Sequence, residues 1–223
     1  MDTSRTIVNH ASASGIYRVG TDGEVEILNF DYADKRTKRT TTRLPAGKQK
    51  WNNRKESPLE TAIRETIEEV AEDEKEFRIT PIMKRPLWAE IKTQDDRALR
   101  GSSQRGLHLK TLFLLDVNGP FREDMYFGSS EILGPPCFTE VKTLLLDRMK
   151  RELGLMFHRQ CTAKILAHLA IHNPKVDKMY GSFLEEIRLG QHAGISIPAD
   201  LQGKTLSRVE DYCNAFVRGK ATP

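Results

Sequence analysis

Three glutamates stand within five residues of one another, in the run Arg64-Glu65-Thr66-Ile67-Glu68-Glu69. In a helix, residues three and four apart share a face, so Glu65 lies beside both Glu68 and Glu69. Such crowding of carboxylates is unfavourable unless positive charge neutralises it. A hard divalent cation such as Mg²⁺ or Mn²⁺ does so, through a few carboxylate oxygens together with substrate phosphates. A Glu-rich helix is more often a solvated acidic face, so the neighbouring residues decide between the two readings.

Those neighbours form a spaced pattern: Leu44-Pro45-Ala46-Gly47-Lys48, then Glu56, then seven residues to Arg64-Glu65. The pattern resembles the signature of the Nudix hydrolase family, G-x5-E-x7-R-E-U-x-E-E-x-G-U with U aliphatic. Glu56, Arg64, Glu65, Glu68 and Glu69 fall in register, and Thr66 takes a U position. Two positions depart from it. Eight residues separate Gly47 from Glu56, and Ala71-Glu72 stand where the family has glycine and an aliphatic residue. A glycine there would end the helix in a left-handed conformation. Ala71 disfavours that turn, and the helix is expected to run on into Ala71-Glu72-Asp73-Glu74.

The resemblance implies a reaction and a set of roles. Nudix enzymes hydrolyse a nucleoside diphosphate linked to another group, or a comparable pyrophosphate, with divalent metal. By the same resemblance, Glu68 and Glu69 are metal ligands and Glu65 is a further ligand or the base that assists water. Which carboxylate is the base stays open. The carbonyl of Ala46 completes the metal shell, and the fork of Arg64 orients a carboxylate such as Glu56. The implied fold is α+β: a mixed β-sheet flanked by helices in an α/β/α sandwich.

The net charge of the 223 residues is only +4, but its distribution is uneven. Lys35, Arg36, Lys38, Arg39, Arg43, Lys48, Lys50, Arg54 and Lys55 crowd the segment before the glutamates. Cations feeding an acidic metal site suit a polyanionic substrate. Arg43, Lys48, Lys50 and, from a later loop, Arg97 are candidate phosphate contacts, and Trp51 could stack on a base. An RNA end is compatible with such a patch, although no nucleic-acid-binding motif accompanies it. His168 and His172 are four apart on a helix, but no Glu follows His168 as a metalloprotease motif requires. His108 and His158 read as structural. Cys137, Cys161 and Cys213 are odd in number and far apart, which points away from a disulfide framework and toward a reducing cytosol. No run of about 18 apolar residues suggests a membrane span, and Met1-Asp2-Thr3-Ser4-Arg5 does not open a signal peptide.

The elements that must position these residues follow from periodicity and punctuation. Residues 6–19 read as a first strand and Val25 to Phe30 as a second. Residues 31–43 read as a basic loop, Thr40 to Leu44 as a short strand, and 45–56 as a loop. Ser57-Pro58-Leu59-Glu60 is a helix start, with Ser as N-cap and Glu three residues on. Leu59, Ala62, Ile63, Thr66, Ile67 and Val70 supply the apolar side of that helix, and the glutamates are expected to face elsewhere. Strands follow at Phe77 to Pro81, Pro86 to Ile91 and Leu107 to Val117, with a polar loop at 92–106. Helices are expected at Phe138 to Leu153 and Phe157 to His172. Residues 1–173 thus read as one catalytic domain. Residues 174–223 read as a helical extension, with helices near Lys175 to Leu189 and Leu206 to Arg218, that could cap a cleft, form a homodimer contact or bind a partner.

The first functional reading is a Mg²⁺- or Mn²⁺-dependent pyrophosphohydrolase in the cytoplasm. Dinucleoside polyphosphates, diphosphoinositol polyphosphates and capped RNA ends are the favoured substrates. The alternative is a catalytically weak nucleotide-binding or regulatory protein on the same fold. A third reading, another metal-dependent reaction of a diphosphate metabolite, has only the same metal site behind it.

Overall fold

The computed structural model describes residues 7–33, 40–50, 56–94, 106–123, 126–127, 131–149 and 156–192, with residues 195 and 197. Trp51, Arg97, Arg100, Arg105, Cys213 and most of the basic run at 35–39 and 54–55 lie outside them, as does the helix expected near 206–218.

Among the described residues the strands form two sheets. The first has strands β1 (Ile7–Gly15), β5 (Ala46–Lys48), β6 (Arg78–Pro81), β7 (Trp88–Gln94) and β8 (Gly106–Asn118). Its order is β5-β1-β8, with β6 and β7 both on the far edge of β8. β1 and β8 run parallel and the other pairs antiparallel, so the sheet is mixed. The second sheet is antiparallel and centres on β3 (Val25–Ala33). β3 pairs with β2 (Tyr17–Val19), β4 (Thr40–Arg43), β10 (Glu131–Ile132) and β11 (Cys137–Glu140), and β9 (Tyr126–Phe127) pairs with β10.

Side chains alternate across a strand, and β8 uses both faces. Leu112 and Leu114 join a core with Ala13 and helix α3 (Met156–His172), while Phe113 and Leu115 join one with Ala62 and Val70 of helix α1 (Pro58–Val70). The mixed sheet therefore lies between α1 and α3, an α+β layered arrangement. Helix α4 (Pro174–Arg188) sends Val176, Tyr180, Phe183, Leu184 and Ile187 into the same core as α3. No helix of the described residues is long and apolar enough to cross a membrane.

Several expectations need correction. The first strand is broken at Ile16, and its halves serve different sheets. The expected loop at 45–56 begins as an edge strand, with Ala46, Gly47 and Lys48 paired to Ala13, Ser12 and Ala11. Phe138 does not start a helix: Cys137–Glu140 pairs with β3, and Glu140 then caps a short helix α2 (Val141–Thr143) by accepting from the Lys142 and Thr143 N–H groups. A wide helical turn, Leu144–Arg148, follows.

Candidate active site

α1 begins where the sequence says it should. Ser57 accepts from Glu60 N–H at 3.2 Å, and the Glu60 carboxylate accepts from Ser57 N–H at 2.8 Å. This reciprocal cap fixes the first turn. One face of the helix then lies on β1 through small polar groups. Thr66 Oγ1 is 2.7 Å from Ser14 Oγ, and the Ser14 hydroxyl donates to Ala62 O at 3.2 Å. Short hydroxyl side chains satisfy one another in the dry interface and let the helix approach closely.

The far end of α1 differs from expectation. The helix stops at Val70, and Ala71 is extended, with φ −74° and ψ 139°. The 120–122 segment takes the exposed helix-end carbonyls. Arg122 N–H donates to Val70 O at 3.0 Å, and its guanidinium donates to Glu68 O at 2.7 Å and Ala71 O at 3.2 Å. Glu72 N–H donates to Pro120 O at 3.1 Å, and Ala71 forms a bridge with Phe121. Arginine and a strand-like contact do here what a left-handed glycine would otherwise do.

Arg64 is the hub between these ends. It grips Glu56 twice, through Nε at 2.7 Å and Nη2 at 3.1 Å. It also donates to Glu65 Oε1 at 2.7 Å, Glu68 Oε2 at 3.0 Å and the carbonyl of Lys48 at 2.9 Å. A planar guanidinium can serve all these acceptors; an ammonium cannot. Burial tends to lower the Arg64 pKa, but Glu56 and Glu65 outweigh it and hold the pKa above its ordinary value. For Glu56, burial pulls upward, yet bonds from Arg64, Thr61 and Lys50 N–H leave the carboxyl below its usual range. Behind Glu56 stands His10, buried in β1, with Nε2 2.9 Å from Thr61 Oγ1, which in turn is 2.9 Å from Glu56 Oε2. Burial lowers the His10 pKa to about 4, against an upward pull from Glu56.

The glutamates do not share one environment. Glu69, expected to face away from the core, is only 7% exposed, and its Oε2 accepts Ala46 N–H at 3.0 Å. Burial drives its pKa well above the ordinary value, and the charges of Glu65 and Glu68 push the same way. Glu65 is raised too, first by burial and then by Glu68, against Arg64. Its carboxylate fills the space a side chain at position 47 would need: a Cβ on Gly47 would lie 1.9 Å from Glu65 Cδ. Glycine is therefore required there by close approach. Glu68 is the most exposed of the three and pairs with the Lys50 ammonium as well as Arg64.

Among the described residues no three carboxylate, imidazole or thiolate groups converge as a ready metal shell. The donor chemistry nonetheless fits a hard cation. Three carboxylates interact on one stretch of α1, one is buried with a raised pKa, and the backbone at Ala46 is within reach of Glu69. Arg64 and Lys50 supply the neutralising charge in this arrangement. Of the substrate candidates, Lys48 and Lys50 flank the hub, and Arg43 stacks over the Tyr32 ring, 3.8 Å from its centroid. The His168 and His172 rings pack edge to face, with centroids 4.5 Å apart. The residues missed in the sequence are His10, Thr61 and Arg122. His10, Ser12 and Ser14 did carry a signal: polar residues at every second position of β1.

A comparison with protein-family models finds no match, and neither does one with curated protein sequences. Solved structures do match. One is described as a possible asymmetric diadenosine tetraphosphate hydrolase from Jonesia denitrificans, with 12% identity, 72% of this chain and 93% of that one covered, and a TM-score of 0.46. Another is an Ap4A hydrolase from C. elegans, with 18% identity, 73% and 98% covered, and a TM-score of 0.44. A third is the Nudix hydrolase RenU from M. smegmatis, with 11% identity, 74% and 90% covered, and a TM-score of 0.46.

Proposed function

We propose that the chain is a Nudix-type hydrolase that cleaves a pyrophosphate bond with the help of Mg²⁺ or Mn²⁺. The observation that carries this reading is the Arg64 hub. One guanidinium ties Glu56, Glu65, Glu68 and the Lys48 carbonyl together beside the buried Glu69. A solvated acidic face has no reason to bury Glu69 or to exclude a side chain at Gly47.

In this reading Glu65, Glu68 and Glu69 hold the cation, with the Ala46 carbonyl beside them. When bound, the metal screens phosphate charge and makes water a better nucleophile. The chain's own residues do the positioning. Arg64 keeps Glu65 and Glu68 on one side of α1, and Glu56 with Thr61 and His10 keeps Arg64 in place. Lys50 occupies Glu68 until a cation takes its role. Burial raises the pKa of Glu69, and of Glu65 beside it, the direction that makes a carboxylate a better proton acceptor. Arg43, Lys48 and Lys50 favour substrates with several phosphates, such as dinucleoside polyphosphates, diphosphoinositol polyphosphates or capped RNA ends.

The test is phosphate or nucleotide release from a panel of such compounds with Mg²⁺ and Mn²⁺, native chain against Glu69→Gln. Metal-dependent release that the substitution abolishes, with folding intact, is expected. Equal release by both proteins would remove the site assignment. Tight nucleotide binding with no product at saturating metal would favour a regulatory protein instead.

A further inference from the structure

Strand β5 separates two faces of the sheet. Gly47 faces Glu65 and α1, so Ala46 and Lys48 face the other way, toward α3. The pairing register extends that second face across the sheet. Lys48 stands opposite Ala11, and Ala11 stands opposite Lys110. Neighbouring strands lie about 4.8 Å apart, so the two lysine backbones flank the small Ala11 side chain at about 10 Å. Glu90 stands opposite Lys110 on β7 and closes the row on its outer side.

The first turn of α3 stands by this row. Lys110 Nζ lies 4.8 Å from the centroid of the Phe157 ring, and the Phe157 and His158 rings are 5.4 Å apart. His158 is buried, and its Nδ1 accepts the N–H of Leu44 at 3.3 Å. A neutral imidazole that accepts at Nδ1 carries its proton at Nε2 and donates there. Burial, then Arg43 and Lys110, lower its pKa to about 3, so this tautomer persists across the working pH range. Arg43, the residue before Leu44, is fixed by a 2.9 Å bond to Thr41 Oγ1 and by the Tyr32 ring. Its charge bears on both His158 and Glu69. Arg43 adjoins the Leu44 backbone that His158 holds.

We propose that Arg43, Lys48, Lys110 and the Nε2–H of His158 form a second anion subsite that takes a phosphate beyond the cleaved pyrophosphate, so that the substrate carries three or more linked phosphates. The proposal rests on the hydrolase reading and narrows it to polyphosphate chains. A substrate crossing the edge strand β5 would meet the α1 carboxylates on one side and cations with a neutral donor on the other. Cations and oriented N–H groups are what successive phosphates require.

The test is calorimetric titration of the metal-free full chain with inorganic tripolyphosphate, in chelator. The native chain should bind saturably, and Lys110→Gln should weaken binding about tenfold, the scale of one charge-assisted contact. Lys178→Gln, an equal change of charge on the exposed side of α4, should stay within about twofold of native. Absence of saturable binding, or equal losses in the two variants, overturns the subsite. A shift of the His158 Nε2–H resonance on adding tripolyphosphate is expected; an unmoved resonance speaks against its place in the site. Binding is read without turnover. Tripolyphosphate that binds as expected, while no compound with three or more linked phosphates is cleaved with metal, therefore removes the hydrolase reading and leaves the anion subsite.

Discussion

Replacing Arg64 by Met should destabilise the metal-free protein through the carboxylates it strands. The Glu56 and Glu65 side chains are 15% and 14% exposed, and that of Arg64 is 19% exposed. Breaking a buried pair costs about 3–5 kcal/mol. Partial exposure and water access place this site at the lower end, about 3 kcal/mol. For a chain of this size each kcal/mol moves Tm by about 2–4 °C, so a fall of about 6–12 °C is expected. Arg64→Lys should recover only part of it, since one ammonium cannot span Glu56, Glu65, Glu68 and the Lys48 carbonyl. The decisive assay is a double-mutant cycle with Glu56→Gln, followed by thermal and urea denaturation in chelator. Glu56→Gln in the Arg64→Met background should be nearly neutral or stabilising, because it removes an unpaired charge. A coupling of at least about 1 kcal/mol is expected; additivity within about 0.5 kcal/mol would refute the hub.

Gly47→Ala should cost at least tenfold in turnover, because the new methyl meets the Glu65 carboxylate; wild-type activity in that variant would remove the close approach. Arg122→Ala should lower stability by about 1.5–3 kcal/mol, the range for bonds to a charged group, and weaken metal-dependent turnover by loosening the helix end that carries Glu68 and Glu69. A Tm within about 1 °C of native would contradict this. Glu69 makes a pH prediction of definite sign. Its pKa is raised on folding, so its contribution to stability is complete below the ordinary carboxylate value. That contribution is lost as pH rises through the folded value. Glu69→Gln keeps the Ala46 contact, so in chelator the variant should gain on the native chain as pH rises above the ordinary carboxylate range. Each pKa unit of the shift is worth about 1.4 kcal/mol, and parallel stability curves would contradict the raised pKa.

The helix and its cap were legible because Ser57, Pro58 and Glu60 act within one turn, and local signals of that kind do not depend on the rest of the fold. The Arg64–Glu56 pairing was legible only through the resemblance to the Nudix signature. Other features depend on partners distant in sequence. Ala46–Lys48 is a strand only because β1 offers an edge. The helix ends at Val70 because Arg122, about 50 residues later, takes its carbonyls. Cys137–Glu140 reads as a helix start until β3 claims it as a strand. Glu69 reads as facing away from the apolar side because a helical wheel shows its neighbours on α1 but not the Ala46 N–H that draws it inward. His10 and Thr61 carry no spacing signal relative to Glu56, and only the packing of α1 on β1 brings them together.

The central claim is that Glu65, Glu68 and Glu69 form a cation site that Arg64 and Lys50 neutralise when no metal is bound. Titration with Mn²⁺, read by its electron spin resonance, tests this directly on the native chain, Glu69→Gln and Lys50→Met. The native chain should bind Mn²⁺ saturably, Glu69→Gln should lose at least tenfold in affinity, and Lys50→Met should bind more tightly because the competing ammonium is gone. Native affinity retained in Glu69→Gln, or weaker binding in Lys50→Met, would contradict the account.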